Sequence, residues 1–212
     1  MNEVFYNFIH MAVDNQHIFD SGLYFLTFTN YKWLPLLEVT RSYDLVYKWF
    51  DILKSNGHQI VGYVTMPNHL HALIGFYPGK KSINTIVGNG KRFIAYDIVK
   101  RLEEAQKVDL LKTLSDGVSA SDKRKGKLHE LYEGTFDLKL CHSYKFVKQK
   151  LDYMHANPVI KKWNLAINAT DYIHSSAKFY ETGEPGVYEV THANDWMYKN
   201  WDSAWLEEAT CK

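Results

Sequence analysis

Apolar and polar positions along this chain alternate between a period of two and a period near 3.6, so the elements can be read off in order. Positions 22–29 (G-L-Y-F-L-T-F-T) are dense in aromatic and β-branched residues and predict a buried first strand. Positions 30–37 hold Pro35 and predict a loop. Between 38 and 55, Val39, Tyr43, Val46, Tyr47, Phe50 and Leu53 recur at helical spacing, and Asn56-Gly57 ends that run. Two apolar runs, 58–65 and 69–76, flank Pro67-Asn68 and predict antiparallel neighbours. A helix opening at Ser82 and extending to about Leu111 follows, with Gly88 and Gly90 weakening its first turns. Positions 116–126 are polar and predict a mobile loop or insertion. A short strand at 136–140 and a helix from Tyr144 to Ala156, stopped by Asn157-Pro158, complete the pattern.

Strand, helix, two strands, helix, strand and a further helix fit an α+β fold. It is a ferredoxin-like βαββαβ core with an antiparallel sheet, helices on one face and an added C-terminal helix. The expected organisation is one domain over 1–212. Its core is 22–163, preceded by an irregular arm at 1–20 and followed by an extension at 164–212.

The run Met66-Pro67-Asn68-His69-Leu70-His71 changes the picture from fold to chemistry. Alternation along a strand sends the side chains of His69 and His71 to the same face of the sheet. Two imidazoles on a rigid strand make half of a divalent-metal site. Tyr153 and Asn157, four apart on the last predicted helix, share a face of that helix. If this helix crosses the histidine face, two nitrogens, an amide oxygen and a phenol converge. Such a set leaves positions on Mg²⁺ or Mn²⁺ for substrate oxygens, with Zn²⁺ also admissible. It contains no carboxylate, so an anionic phosphodiester would have to supply the missing charge. Each residue also has an ordinary reading: edge histidines, one tyrosine among fifteen, and an asparagine that ends a helix. His129, Glu130 and Glu133 form a weaker metal candidate beside the polar stretch.

Charge and cysteine content narrow the class. The formal net charge is +1, but ten Lys/Arg oppose five Asp/Glu over 121–162, and two Lys oppose seven acids over 181–212. A basic centre and an acidic tail therefore average to neutrality. Two cysteines argue against a disulfide framework. The absence of a signal-peptide pattern and of a long apolar run predicts a cytoplasmic, non-membrane protein.

With these residues in place, the sequence resembles the IS200/IS605-type single-tyrosine HUH transposases, and most closely their REP-associated tyrosine transposase relatives. The resemblance spans about 22–163 and rests on Met66-Pro67-Asn68-His69-Leu70-His71 followed by Tyr153-Met154-His155-Ala156-Asn157-Pro158. It implies His69, His71 and Asn157 as ligands of Mg²⁺ or Mn²⁺ and Tyr153 as a nucleophile that forms a 5′-phosphotyrosine. It also implies single-stranded DNA beside hairpins as substrate, with Lys91, Arg92, Lys100, Arg101, Lys123, Arg124, Lys125, Lys145 and Lys148 as candidate DNA contacts, and a monomer or homodimer. Phe136 is followed by Asp137-Leu138 where relatives often carry a histidine or other polar residue, and the stretch 109–130 is long. Other classes predict different behaviour: a non-cleaving hairpin-binding regulator, a hydrolase that activates water, or an RNA-processing enzyme.

Overall fold

The structure, a computed structural model, describes residues 21–201. The predicted arm at 1–20 and the end of the acidic tail lie outside these residues. Four strands, β1 (Gly22–Thr29), β2 (Gln59–Met66), β3 (His69–Phe76) and β4 (Asp137–Leu140), form one sheet in the order β2-β3-β1-β4. Every neighbouring pair is antiparallel. This is the expected ferredoxin-like arrangement, and β1, β3 and the last core helix have the boundaries that the sequence pattern predicts.

Alternation divides the sheet into two apolar faces. Tyr24, Leu26, Phe28, Leu70, Ala72, Ile74 and Phe76 pack against α2 (Tyr43–Ser55) and α3 (Ile83–Glu104). Leu23, Phe25, Val64, Met66 and Leu73 pack on the opposite side against α6 (Tyr144–Ala156) and α8 (Ala193–Asn200). Helices thus cover both faces. Trp196 of α8 lies directly on Gly75, where a Cβ would collide with the indole. Gly90 does the same for α3, admitting the ring of Trp49. Its role is close approach between two helices.

Two long helical readings are broken in the fold, each at a residue with positive φ. Arg41 (φ 51°) separates α1 (Leu36–Val39) from α2, and Gln106 (φ 52°) separates α3 from α4 (Val108–Asp116). The first break is pinned by Arg101, whose guanidinium donates to both Asp44 oxygens and to the carbonyls of Thr40 and Arg41. That pairing lowers the Asp44 pKa to about 2. The polar stretch after Asp116 includes α5 (Ala120–Arg124), capped by the Ser119 hydroxyl.

The extension also closes the β2 edge. Thr65 N–H donates to the His174 carbonyl at 2.8 Å, and Ser176 N–H to the Tyr63 carbonyl at 2.9 Å. The hydroxyls of Tyr172 and Tyr180 donate to the carbonyls of Thr65 and Val61. An edge that would otherwise template pairing with another chain is therefore occupied. α7 (Ala177–Thr182) links this segment to α8.

Candidate active site

β3 is paired on both sides, so the two histidines stand on the stiffest part of the sheet. Thr27 lies directly opposite His71 and Thr29 opposite His69 in the β1–β3 register. Both imidazoles are nearly inaccessible, at 3% for His69 and 5% for His71. Their rings lie edge to face with centroids 4.9 Å apart. The expected convergence with the last core helix is present on one side: the Tyr153 ring meets His71 edge-on at 5.2 Å, and Phe25 stacks on His71 at 5.3 Å. Tyr153 is 43% exposed, so its phenol is reachable from solvent above a buried floor.

Each imidazole is anchored through Nδ1. His69 Nδ1 lies 2.7 Å from Asn68 Oδ1, while Asn68 Nδ2 donates to the Trp33 carbonyl. That second bond fixes the amide so that Oδ1 accepts from His69 Nδ1–H, leaving Nε2 with a lone pair. His71 Nδ1 lies 2.7 Å from Thr27 Oγ1, a hydroxyl able to accept from or donate to the ring, and the tautomer in which the ring donates leaves Nε2 with its lone pair as in His69. Outer partners that orient imidazoles in this manner accompany metal-binding histidines generally. Burial, followed by the Lys162 charge, lowers the His69 pKa to about 3; burial, His69 and Lys150 hold His71 well below its ordinary value. Both are neutral at physiological pH, the form that can ligate a cation.

Asn157 is buried at the end of α6 and donates from Nδ2 to the Tyr153 carbonyl at 3.0 Å, a bond that does not engage its Oδ1. Burial raises the Tyr153 pKa, and the Asn157 amide beside it acts in the opposite direction. Among the described residues, no three His, Cys, Asp or Glu side chains gather into a metal site. The candidate donors are the two imidazoles, with the Asn157 amide beside Tyr153 at the end of α6. That set fits a divalent ion in donor chemistry and lacks charge, since no carboxylate joins it. Metal affinity should accordingly depend on an anionic substrate.

Sequence reasoning missed the site's cationic flanks. The Lys150 ammonium lies 4.9 Å from the Phe25 ring centroid and 5.8 Å from that of Tyr153, and burial lowers its pKa. At the other end, Lys162 lies 4.8 Å over Trp33 and 4.6 Å over Trp163. Both indoles meet His69, at 5.6 and 5.5 Å. Lysine three residues before a tyrosine on one helix was the available signal for Lys150; nothing local points to Trp33 or Trp163.

The candidate DNA contacts separate into three groups. Lys123, Arg124 and Lys125 project from or just after α5, Lys145 and Lys148 are exposed on α6, and Arg92 and Lys100 are exposed on α3. Lys100 faces Glu104 at 3.9 Å, and Arg92 donates to Asn89. Arg101 is committed to Asp44. Lys91 is buried on the opposite face of the sheet, its ammonium against the rings of Tyr132, Phe136 and Phe28, and its pKa is lowered to about 8 mainly by desolvation.

One further pair has nucleophile chemistry but no freedom to use it. His155 Nε2 lies 2.8 Å from Ser176 Oγ, yet that oxygen also accepts from Tyr63 N–H and lies 3.2 Å from the Tyr63 carbonyl. Ser176 is 1% exposed, so this pair closes the β2 edge.

Comparison of this geometry with solved structures locates the fold. A REP-associated tyrosine transposase bound to a REP hairpin superposes with a TM-score of 0.52 at 15% identity, covering 85% of this chain and 92% of that one. The chain is similar to that protein in fold. A protein described as a candidate transposase from Deinococcus radiodurans is 18% identical and covers 68% of this chain and 95% of its own, with a TM-score of 0.31. No family model and no curated protein matches the chain. Among the described residues no helix is long and apolar enough to cross a membrane.

Proposed function

We propose that the chain is a metal-dependent single-stranded DNA endonuclease and strand transferase acting beside hairpins. The observation that carries this reading is the accessible Tyr153 phenol set against the buried His71–His69 pair, with a lysine at each end. A water-activating hydrolase has no need for a phenol there.

In this reading His69, His71 and Asn157 hold Mg²⁺ or Mn²⁺, which would polarise the phosphoryl group and offset charge in the transition state. Tyr153 Oη bonds to phosphorus as the P–O3′ bond breaks. The phenol gives up one proton to water and the departing 3′ oxygen takes up one, so neither net proton nor electron is consumed. The products are a 5′-phosphotyrosine and a free 3′-hydroxyl, and attack by a 3′-hydroxyl reverses the step. Lys150 and Lys162 bring positive charge to both sides of the phosphodiester. Their repulsion also raises the cost of loading a cation before DNA arrives.

Incubation with labelled single-stranded hairpins from repeats flanking the gene, in Mn²⁺ or Mg²⁺, tests this directly. A covalent adduct mapped to Tyr153 by peptide mass spectrometry, lost in Tyr153→Phe and without metal, is the expected result. Cleavage that survives in Tyr153→Phe with no adduct would mean an activated-water hydrolase. Tight binding with no adduct in either metal would mean a non-cleaving regulator.

A further inference from the structure

We propose that Trp33 and Trp163, bridged by Lys162, form a stacking site for one unpaired base, that of the nucleotide on the 5′ side of the cleaved bond, which ends in the 3′-hydroxyl. This rests on the reading of Tyr153 as the attacking group. The two indoles lie 5.9 Å apart at 26°, an offset stack with the ammonium of Lys162 across both rings. Aromatic faces beside a cation are the common means of holding an unpaired base and its phosphate.

Position in the site assigns the nucleotide. The ring contacts run in sequence from Tyr153 to His71, from His71 to His69, and from His69 to the two tryptophans. In-line displacement requires the leaving oxygen to depart on the side away from the nucleophile. With Tyr153 at the His71 end, the departing 3′ oxygen and its nucleoside lie at the His69 end, against Trp33 and Trp163.

The backbone supports a purpose-built position. Lys32 (φ 50°) and Trp33 (φ 56°) both occupy the left-handed region, a conformation that costs side-chain-bearing residues and clusters at functional sites. The strained segment is tied to the histidine turn: Asn30 N–H donates to the Asn68 carbonyl at 2.8 Å and Leu37 N–H to the Pro67 carbonyl at 3.0 Å. Through Asn68, the carbonyl of Trp33 and Nδ1 of His69 share one amide. Trp33 nevertheless keeps 38% of its surface exposed, so its indole is available to a ligand.

The test needs neither metal nor cleavage. Single-stranded oligonucleotides carrying 2-aminopurine at the 3′-terminal or the 5′-terminal nucleotide are titrated with the full-length protein in EDTA. Affinity is followed in parallel by anisotropy of a fluorescein label. Quenching of the 3′-terminal probe alone is expected, since stacking on indole quenches it. Trp33→Ala and Trp163→Leu should each abolish the quench and weaken binding on the order of ten-fold. Lys162→Met should reduce the slope of log K against log salt by about 0.7. Binding without quench, equal quench at both ends, no binding by the wild-type protein, or unchanged affinity in folded Trp33→Ala and Trp163→Leu would each overturn the assignment. The Tyr153 adduct assay decides the nuclease reading independently, because a missing adduct leaves the quench intact.

Discussion

Thr27→Val isolates the outer anchor of His71. Valine keeps the shape and the β-propensity of threonine and removes only the oxygen 2.7 Å from His71 Nδ1. Two effects follow and can be measured apart. In metal-free protein, the Nδ1 of a residue only 5% exposed loses its partner, and leaving such a group unsatisfied costs about 1–3 kcal/mol. The exchange of hydroxyl for methyl adds apolar burial of about 0.8 kcal/mol in the opposite direction, so a net loss near 1 kcal/mol is expected in urea denaturation with EDTA. With Mn²⁺ and hairpin DNA present, loss of an outer partner should weaken metal binding about 10- to 100-fold, or roughly 1.4–2.8 kcal/mol. Isothermal titration of Mn²⁺ into the DNA-bound Tyr153→Phe protein, with and without Thr27→Val, reads this term alone. Unchanged Mn²⁺ affinity alongside the stability loss would show that Thr27 only satisfies a buried ring, and would refute its role in preparing a ligand.

Other perturbations test the fold and its charges. Gly90→Ala gains about 1 kcal/mol of helix propensity but drives a methyl into Trp49, an overpacking cost of about 1–3 kcal/mol, so a lower midpoint in urea is expected and a higher one would contradict the close approach. Burial lowers the pKa of His155 to about 4, while the unfolded chain protonates near 6.5; stability is therefore full above pH 6.5 and declines as pH falls toward 4, by at most about 3 kcal/mol from this residue. His58 and His174, also lowered by burial, act in the same direction, so a urea midpoint constant between pH 7.5 and 5 would refute the claim. Lys150→Met should weaken binding of unpaired DNA and reduce its salt slope by about 0.7, and an unaltered slope in anisotropy titrations would remove Lys150 from the phosphate path.

The periodicities exposed the central parts of this fold because they belong to elements whose two faces differ sharply. The strand from His69 to Phe76 and the helix from Tyr144 to Ala156 carry their boundaries in local sequence: a Pro-Asn turn before one, Ser143 and Asn157-Pro158 around the other. The breaks at Arg41 and Gln106 were not legible, since the apolar stripe continues across each and tertiary contacts decide. Arg101, 60 residues distant from Arg41, holds the first of them. Composition marked the stretch after Asp116 as mobile and overlooked the Ser119 cap, a single hydroxyl. Within the candidate site, spacing singles out His69, His71, Tyr153 and Asn157. It does not single out Trp33, Lys150, Lys162 and Trp163, because their meaning comes only from the approach of segments over 100 residues apart.

The closure of the second sheet face by Trp196 on Gly75 bears on how the chain is made. Synthesis proceeds from the N-terminus, and β1, β2, β3 and α6 leave the ribosome before α8 exists. Until then, the apolar surface around Leu23, Val61 and Leu73 lacks its α8 cover, and the β2 edge lacks the 174–176 segment that occupies it. The nascent chain therefore carries His69, His71, Tyr153 and Asn157 while still holding an open edge and an exposed greasy face. A translational pause or a premature stop between 163 and 193 would release a species prone to self-association, which gives the C-terminal extension a proteostatic role apart from any chemistry at the site.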